Sequence, residues 1–308
     1  MAEAGKSGFP NGYNMSLNVL KNIKEALSNL NPEEVREHVK RPVRLLLYAD
    51  SEGGYRQMEE FFAPAALSVQ KRLEVEAVLL RGLRSDGLNQ PHDVAVYLGQ
   101  GGGQRVKGAP AAFAFNADHP EHTIHEILKN RPDLAIPLAR HIMPFRQPVV
   151  DRVIKKISKE NALFALATAL PDIIPLISLP WAVAEFASDT AILTANQIRM
   201  AFFVAAASDR PVGYKEQRGE IGSLVLGAFG WRAVARELVG KIPFGGGLVP
   251  KAAIAYAATR VVGLSLDRYY RIGHGYSQQE RQLVYDQALA RGKTIAGSIM
   301  HSLRRSTS

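Results

Sequence analysis

From Asn161 to Ala184 the chain carries a single charge, Asp172, in 24 residues. So apolar a run can be placed only inside a protein core or against lipid. Its length permits either, since roughly 20 residues span a bilayer as a helix. Pro171, Pro175 and Pro180 argue against a regular span, because each removes a backbone N–H and clashes with the preceding turn. They fit a kinked helix pair, or a re-entrant hairpin whose backbone is buried in protein. A second run, Ile242 to Leu266, is similar in length but contains Lys251 and Arg260, with Pro243, Gly245, Gly246 and Gly247 near its start.

The helices expected around these runs, 181–208 and 221–240, carry Glu185, Asp189, Arg199, Arg232 and Arg236, which are costly in lipid. The mean hydropathy of the whole chain, −0.08, is not that of a polytopic membrane protein. Peripheral or shallow membrane association is therefore the leading expectation, ahead of a soluble helical bundle and of spanning helices. Glu185 and Asp189 lie one helical turn apart and share a face. Such a pair suits a metal or acid–base chemistry, but pairing with Arg232 or Arg236 is the expected arrangement, because buried charges are usually paired.

The first half reads differently. Residues 1–14 form a polar tail, and Leu17, Leu20, Ile23, Leu27 and Leu30 recur at helical spacing. Asn31 is placed to cap a short helix opened by Pro32, Glu33 and Glu34. Pro42 to Ala49 predicts a buried strand, Asp50 to Gly54 a turn, and Tyr55 to Lys71 a helix interrupted near Pro64. Further strands are expected at Leu73–Leu80 and His92–Leu98, with a short fourth at Phe113 and Phe115. Strands alternating with helical runs predict a small, mostly parallel sheet. From Pro120 onward the pattern is helical, with helices expected at about 120–129, 149–170, 181–208, 215–240, 248–271 and 277–303. The fold class is thus α+β, with tail and helices over 1–40, a small α/β domain over 41–145 and an all-helical domain over 146–308.

The strand–turn–helix at 43–60 is where a phosphate-binding P-loop would lie. That motif needs Gly-x-x-x-x-Gly-Lys-Ser/Thr. With Gly54 as the second glycine, Ala49 falls at the first, Tyr55 at the lysine and Arg56 at the hydroxyl. The lysine and the metal ligand are missing, and Asp50 and Glu52 bring negative charge to the place of the phosphates. The turn reads as a degenerate P-loop or an ordinary α/β turn; Asp50, Gly53, Gly54 and Arg56 are the candidates for any nucleotide contact. Gly101–Gly103 reads as a flexible loop, because no periodic helix opens after it.

His119, His122 and His125 recur every third residue beside Asp118 and Glu126. Three residues at that spacing drift by about 60° per step around a helix, so only two share an ion easily. A solvated helix start is the better reading. No Gly-x-Ser-x-Gly or His-Glu-x-x-His motif is present, so no catalytic set and no cofactor is expected.

Charge is uneven. Residues 1–150 hold 18 Lys and Arg against 17 Asp and Glu, a net of +1; residues 151–308 hold 20 against 12, a net of +8. Cations beside apolar helices suit anionic lipid headgroups. Nucleic acid is the weaker reading, without zinc-finger spacing, RNP-like motif or arginine tract. With no cysteine there is no disulfide framework or thiolate zinc site, which fits a reducing compartment. No apolar leader opens the sequence, so the expected location is cytoplasmic, or peripheral on the cytoplasmic face of the inner membrane.

Four segments in the second half carry a resemblance: Ala169-Leu-Pro-Asp-Ile-Ile-Pro175, Asn196-Gln-Ile-Arg-Met200, Gly240-Lys-Ile-Pro-Phe-Gly-Gly-Gly247, and the alanine-rich run to Ala258-Thr-Arg-Val-Val-Gly263. In this order, followed by Tyr269-Tyr270, they resemble the uncharacterised helical domain that follows Era-like GTPase domains and occurs in YcjF-type bacterial inner-membrane proteins. The likeness covers about residues 150–275. Phe244 departs from it, standing where Gly would follow the proline. It implies membrane association and a GTPase partner or GTPase ancestry, and no catalytic residues. Pro171, Asp172, Pro175, Gln197, Arg199, Pro243 and Gly245–Gly247 are its structural or interaction residues. The expected function is a non-enzymatic, membrane-associated interaction or scaffolding protein whose partner is an anionic membrane surface or a helical protein, with oligomerisation left open. The alternative is a nucleotide-binding protein with a non-standard phosphate loop.

Overall fold

The computed structural model describes residues 23–27, 30–83, 91–99, 111–168, 189–225 and 248–306. It is an α+β fold, mostly helical, with one small parallel sheet. After a helical turn at 23–27, α1 (Pro32–Lys40) opens as expected: Asn31 Oδ1 accepts from the Glu33 N–H at 2.9 Å, and Pro32 stands where no N–H is needed.

The sheet follows. Strand β1 (Leu45–Ala49) is central, with β2 (Leu79–Leu83) on one side and β3 (Val94–Leu98) on the other; β4 (Ala112–Ala114) extends the sheet beyond β3. All pairings are parallel and the order is β2-β1-β3-β4, with Leu45 opposite both Leu79 and Val94. Every β1 residue is buried, as a central parallel strand requires. Alternation splits the strand: Leu45, Leu47 and Ala49 join the main core, whereas Leu46 and Tyr48 pack with Ala95 on the opposite face.

Between β1 and β2 run α2 (Glu52–Phe62) and α3 (Val69–Glu76). The strand expected at Leu73–Leu80 is therefore corrected: its first half is helix and the strand begins at Leu79. Ser68, whose Oγ accepts from the Lys71 N–H at 3.3 Å, caps α3 and settles the local choice.

After β4, α4 (Pro120–Asn130), a 3-10 turn (Pro132–Leu134) and α5 (Ala135–His141) lead into α6 (Met143–Ala167). Residue 145 lies inside α6, and the apolar core crosses it without a break: Phe62 of α2 stacks on Phe145 with ring centroids 6.1 Å apart. Among the described residues the helical part comprises α6, α7 (Asp189–Ala207), a helical stretch at 218–225, α8 (Leu248–Ile272) and α9 (Gln278–Ser306).

Small residues set the crossings. A Cβ on Gly263 of α8 would lie 2.7 Å from Ile154 of α6 and 3.0 Å from Met200 of α7, so the three helices meet where no side chain fits. Gly292 of α9 is likewise pressed to the Ala253 backbone of α8. The α8–α9 turn is strongly specified. Gly273 takes the left-handed position after α8 (φ 82°), and Ser277 and Glu280 exchange backbone-to-side-chain hydrogen bonds in a capping box before α9.

Candidate functional site

The turn between β1 and α2 is two residues long. Ser51 caps α2, its Oγ accepting from the Gly54 N–H at 3.1 Å and its carbonyl from the Tyr55 N–H at 3.0 Å. Gly53 and Gly54 are thus in the first helical turn rather than in a loop wrapped around a ligand. Asp50 accepts from the Tyr48 hydroxyl at 3.2 Å, and its backbone N–H reaches Leu98 O of β3. Gly99, at φ 125°, lies so close to Asp50 that a Cβ there would overlap the carboxylate. Arg56 pairs with Glu52 at 3.5 Å, and Glu52 also pairs with Arg81, whose guanidinium lies 4.4 Å above the Tyr55 ring. Burial raises the Tyr55 pKa, with Glu59 adding to the effect. Asp50 and Gly99 stand at the carboxyl ends of β1 and β3, where the strand order reverses; that is where open α/β sheets bind ligands.

The resemblance residues of α7 and α8 come together. Asn161 of α6, fully buried, donates from Nδ2 to Thr259 Oγ1 at 2.7 Å and accepts from Asn196 Nδ2 at 2.7 Å. Gln197 Nε2 reaches the same Thr259 hydroxyl at 3.4 Å, and that hydroxyl donates to Ala255 O. One turn on, Met200 lies against Gly263. Arg199 faces the other way, pairing with Glu160 at 3.5 Å and Glu34 at 3.9 Å and lying over the Phe203 ring. Gln197 and Arg199 are thus inter-element contacts. Pro171, Asp172, Pro175, Glu185, Arg232, Arg236, Pro243, Gly245, Gly246 and Gly247 lie outside the described residues, and Asp189 is described only as the first residue of α7.

The described parts of the two apolar runs face inward. Ala162 and Leu166 pack with Ala252, Tyr256 and Ala296, joining α6, α8 and α9. Among the described residues one helix holds a window long and apolar enough to cross a membrane, Thr190–Ala207 of α7, and 83% of that window is buried in the protein. The outer face of α6 is basic: Arg152, Lys155, Lys156 and Lys159 are exposed at i, i+3, i+4 and i+7. Arg152 donates to Leu128 O at the end of α4, and Lys156 lies 3.9 Å from Glu160.

Two of the three histidines at the start of α4 have local polar partners. His119 Nδ1 is 3.3 Å from Glu121, and His125 Nδ1 is 2.7 Å from Glu121 O. Among the described residues no group of three His, Asp or Glu side chains is arranged to hold a metal.

A cleft of about 500 Å³ opens between α7, the 218–225 stretch, α8 and the start of α9. Leu224, Val261, Val262 and Leu266 wall it, Tyr269 and Arg281 flank it, and Glu220 and Ser265 supply polar groups. Sequence reasoning did not reach it, because its walls come from three separate segments. Gln217 Nε2 donates to Ala201 O at 3.0 Å and to the Tyr270 hydroxyl at 2.9 Å, which in turn donates to Glu220 Oε1 at 3.2 Å. Burial, with Glu220 adding to it, raises the Tyr270 pKa far above its ordinary value, so the hydroxyl stays a donor. No family model matches this chain, and neither a curated protein nor a solved structure matches it.

Proposed function

We propose that the protein is a non-enzymatic interaction protein that works at an anionic membrane surface, on the cytoplasmic face of the inner membrane, and engages a helical protein partner there, a GTPase being the class the resemblance suggests. The observation that carries this reading is the division of α6. Its apolar side is spent on the core, while Arg152, Lys155, Lys156 and Lys159 line one exposed face. Each Lys or Arg held near an anionic leaflet contributes about 1 kcal/mol of attraction. The net of +8 over residues 151–308 supports the same orientation. Binding would then be electrostatic, with the described apolar segments remaining inside. The sheet half, in this reading, is a reduced GTPase-like domain whose short β1–α2 turn has lost its phosphate cradle.

Co-sedimentation with phosphatidylglycerol and phosphatidylcholine vesicles tests it. The wild-type chain is expected to pellet with the first and not the second, and Lys155→Glu/Lys159→Glu to pellet markedly less. Failure to bind phosphatidylglycerol, or equal binding by the charge-reversed chain, would sink the reading.

One observation favours a second reading. The reversal of strand order between β1 and β3 places Asp50 and Gly99 where doubly wound sheets hold ligands. A nucleotide bound there by the folded chain alone would raise its melting temperature. An unchanged melting temperature with millimolar GTP, GDP, ATP or ADP removes that reading.

A further inference from the structure

We propose that the cleft between α7, the 218–225 stretch and α8 binds a small molecule with an apolar body and an ammonium group, the ammonium meeting Glu220. The cleft's size, about 500 Å³, lies within the range of small-molecule sites. Its composition has the same character, with aliphatic walls and a few placed polar groups.

Glu220 is the group that gives the cleft its chemistry. It is half-buried, and the Gln217–Tyr270 relay holds it from behind. Gln217 points an amide hydrogen at the Tyr270 oxygen, so the phenol's own hydrogen must go to Glu220 Oε1. That leaves Oε2 with no hydrogen-bond or ion-pair partner among the described residues. A half-buried carboxylate beside aliphatic walls gains most from a cation that brings its own hydrogens. Leu224, Val261, Val262 and Leu266 would cover the apolar body, and the Tyr269 ring beside them suits a cationic group as well.

Arg281 also lines the cleft and is the group that would favour an anion instead. It is exposed, so water and salt weaken its pull, whereas Glu220 is partly shielded. Ser265 also lines the cleft, and its Oγ is buried with no hydrogen-bond partner.

Calorimetric titration with octylamine, octanoate and octanol, which share one tail, separates the contributions. Octylamine is expected to bind at least about tenfold tighter than octanoate, a difference a charge-assisted hydrogen bond supplies. Glu220→Gln should bring octylamine down to the affinity of octanol. Val262→Trp should abolish binding of all three by filling the cleft. Circular dichroism and a melting curve confirm that each variant is folded, and Glu220→Gln, nearly isosteric, carries the test if Val262→Trp is not. Tighter binding of octanoate, with loss of it in Arg281→Glu, would overturn the assignment of ligand class. Octylamine binding unchanged by either Glu220→Gln or Val262→Trp, or absent at millimolar concentration, would overturn the site.

Discussion

Lys71 of α3 donates to Asp209 at 2.8 Å, and Asp209 holds the left-handed backbone position, φ 59°, that ends α7. Glycine is the usual occupant of such a position. Here the Arg210 N–H reaches back to Ala205 O at 2.8 Å, so the cap forms with an aspartate in place. The side chain gives a reason for it: the second carboxylate oxygen lies 3.3 Å from Arg140, and Lys71 also donates to Arg140 O at the end of α5. One residue thus ties the layer beside the sheet to the ends of two helices.

Breaking this tie should cost more than a surface ion pair, because Lys71 is only 16% exposed. Asp209→Asn keeps a residue that tolerates the left-handed region and loses the charge; we expect a loss of about 1–2 kcal/mol in urea denaturation. Asp209→Gly should lose less, since relief of the backbone offsets part of the missing contacts. A Lys71→Met/Asp209→Asn double variant should be clearly less destabilised than the sum of its single changes.

His141 lies beside the same cluster. Burial lowers its pKa, and Lys71 and Arg140 lower it further, against the opposing pull of Asp209 and Glu74. A histidine depressed in the folded state binds its proton more readily when unfolded, at about 6.5. Stability should therefore fall as the pH drops below about 6.5, until the folded pKa is passed. Carboxylates with lowered pKa, such as Asp133 beside Arg131 and Glu74 beside Lys71, lose their contributions only at lower pH. Melting temperatures between pH 7.5 and 5 should slope downward for the wild type and flatten for His141→Gln; parallel slopes would contradict this.

The buried amides of α6 and α7 make a different prediction. Asn161→Leu leaves the Asn196 amide without its partner in the core and should cost about 1–3 kcal/mol. Asn161→Leu/Asn196→Leu removes both partners and should recover part of that loss. Denaturant midpoints of the three variants decide the matter.

Two glycines of α9 should respond in opposite directions. A Cβ at Gly292 would lie 2.8 Å from Ala253 O, so Gly292→Ala should push α9 from α8 at a cost of about 1–3 kcal/mol. Gly297 has nothing within 4 Å of that position, so Gly297→Ala should stabilise by about 0.5–1 kcal/mol through helix propensity. A shared sign in thermal melts would show that α9 is not packed as described.

Much of this architecture was legible beforehand where local rules and tertiary packing agree. Asn31-Pro32-Glu33 announced α1, the apolar run ending at Ala49 announced a buried strand, and helices expected at 248–271 and 277–303 left the break where α8 and α9 are parted. Leu73–Leu80 was expected as one strand, but Leu73 is an exposed helical residue and Val75 is buried from the helix α3. Asn196 and Gln197 were visible as amides in an apolar helix, but their partners, Asn161 and Thr259, lie 35 and 62 residues away. Asp209 and the Glu220 cleft left no local signal at all. Each depends on segments that meet only after folding.

A salt series on vesicle binding tests the central claim most directly. The wild-type chain, bound to phosphatidylglycerol vesicles at low ionic strength, would be followed by flotation as sodium chloride is raised to 1 M, where the screening length falls to about 3 Å. Surface attraction through the α6 face predicts progressive and complete release. Retention on the vesicles at 1 M salt would mean that apolar segments enter the bilayer, and absence of binding at any salt concentration would contradict membrane association itself.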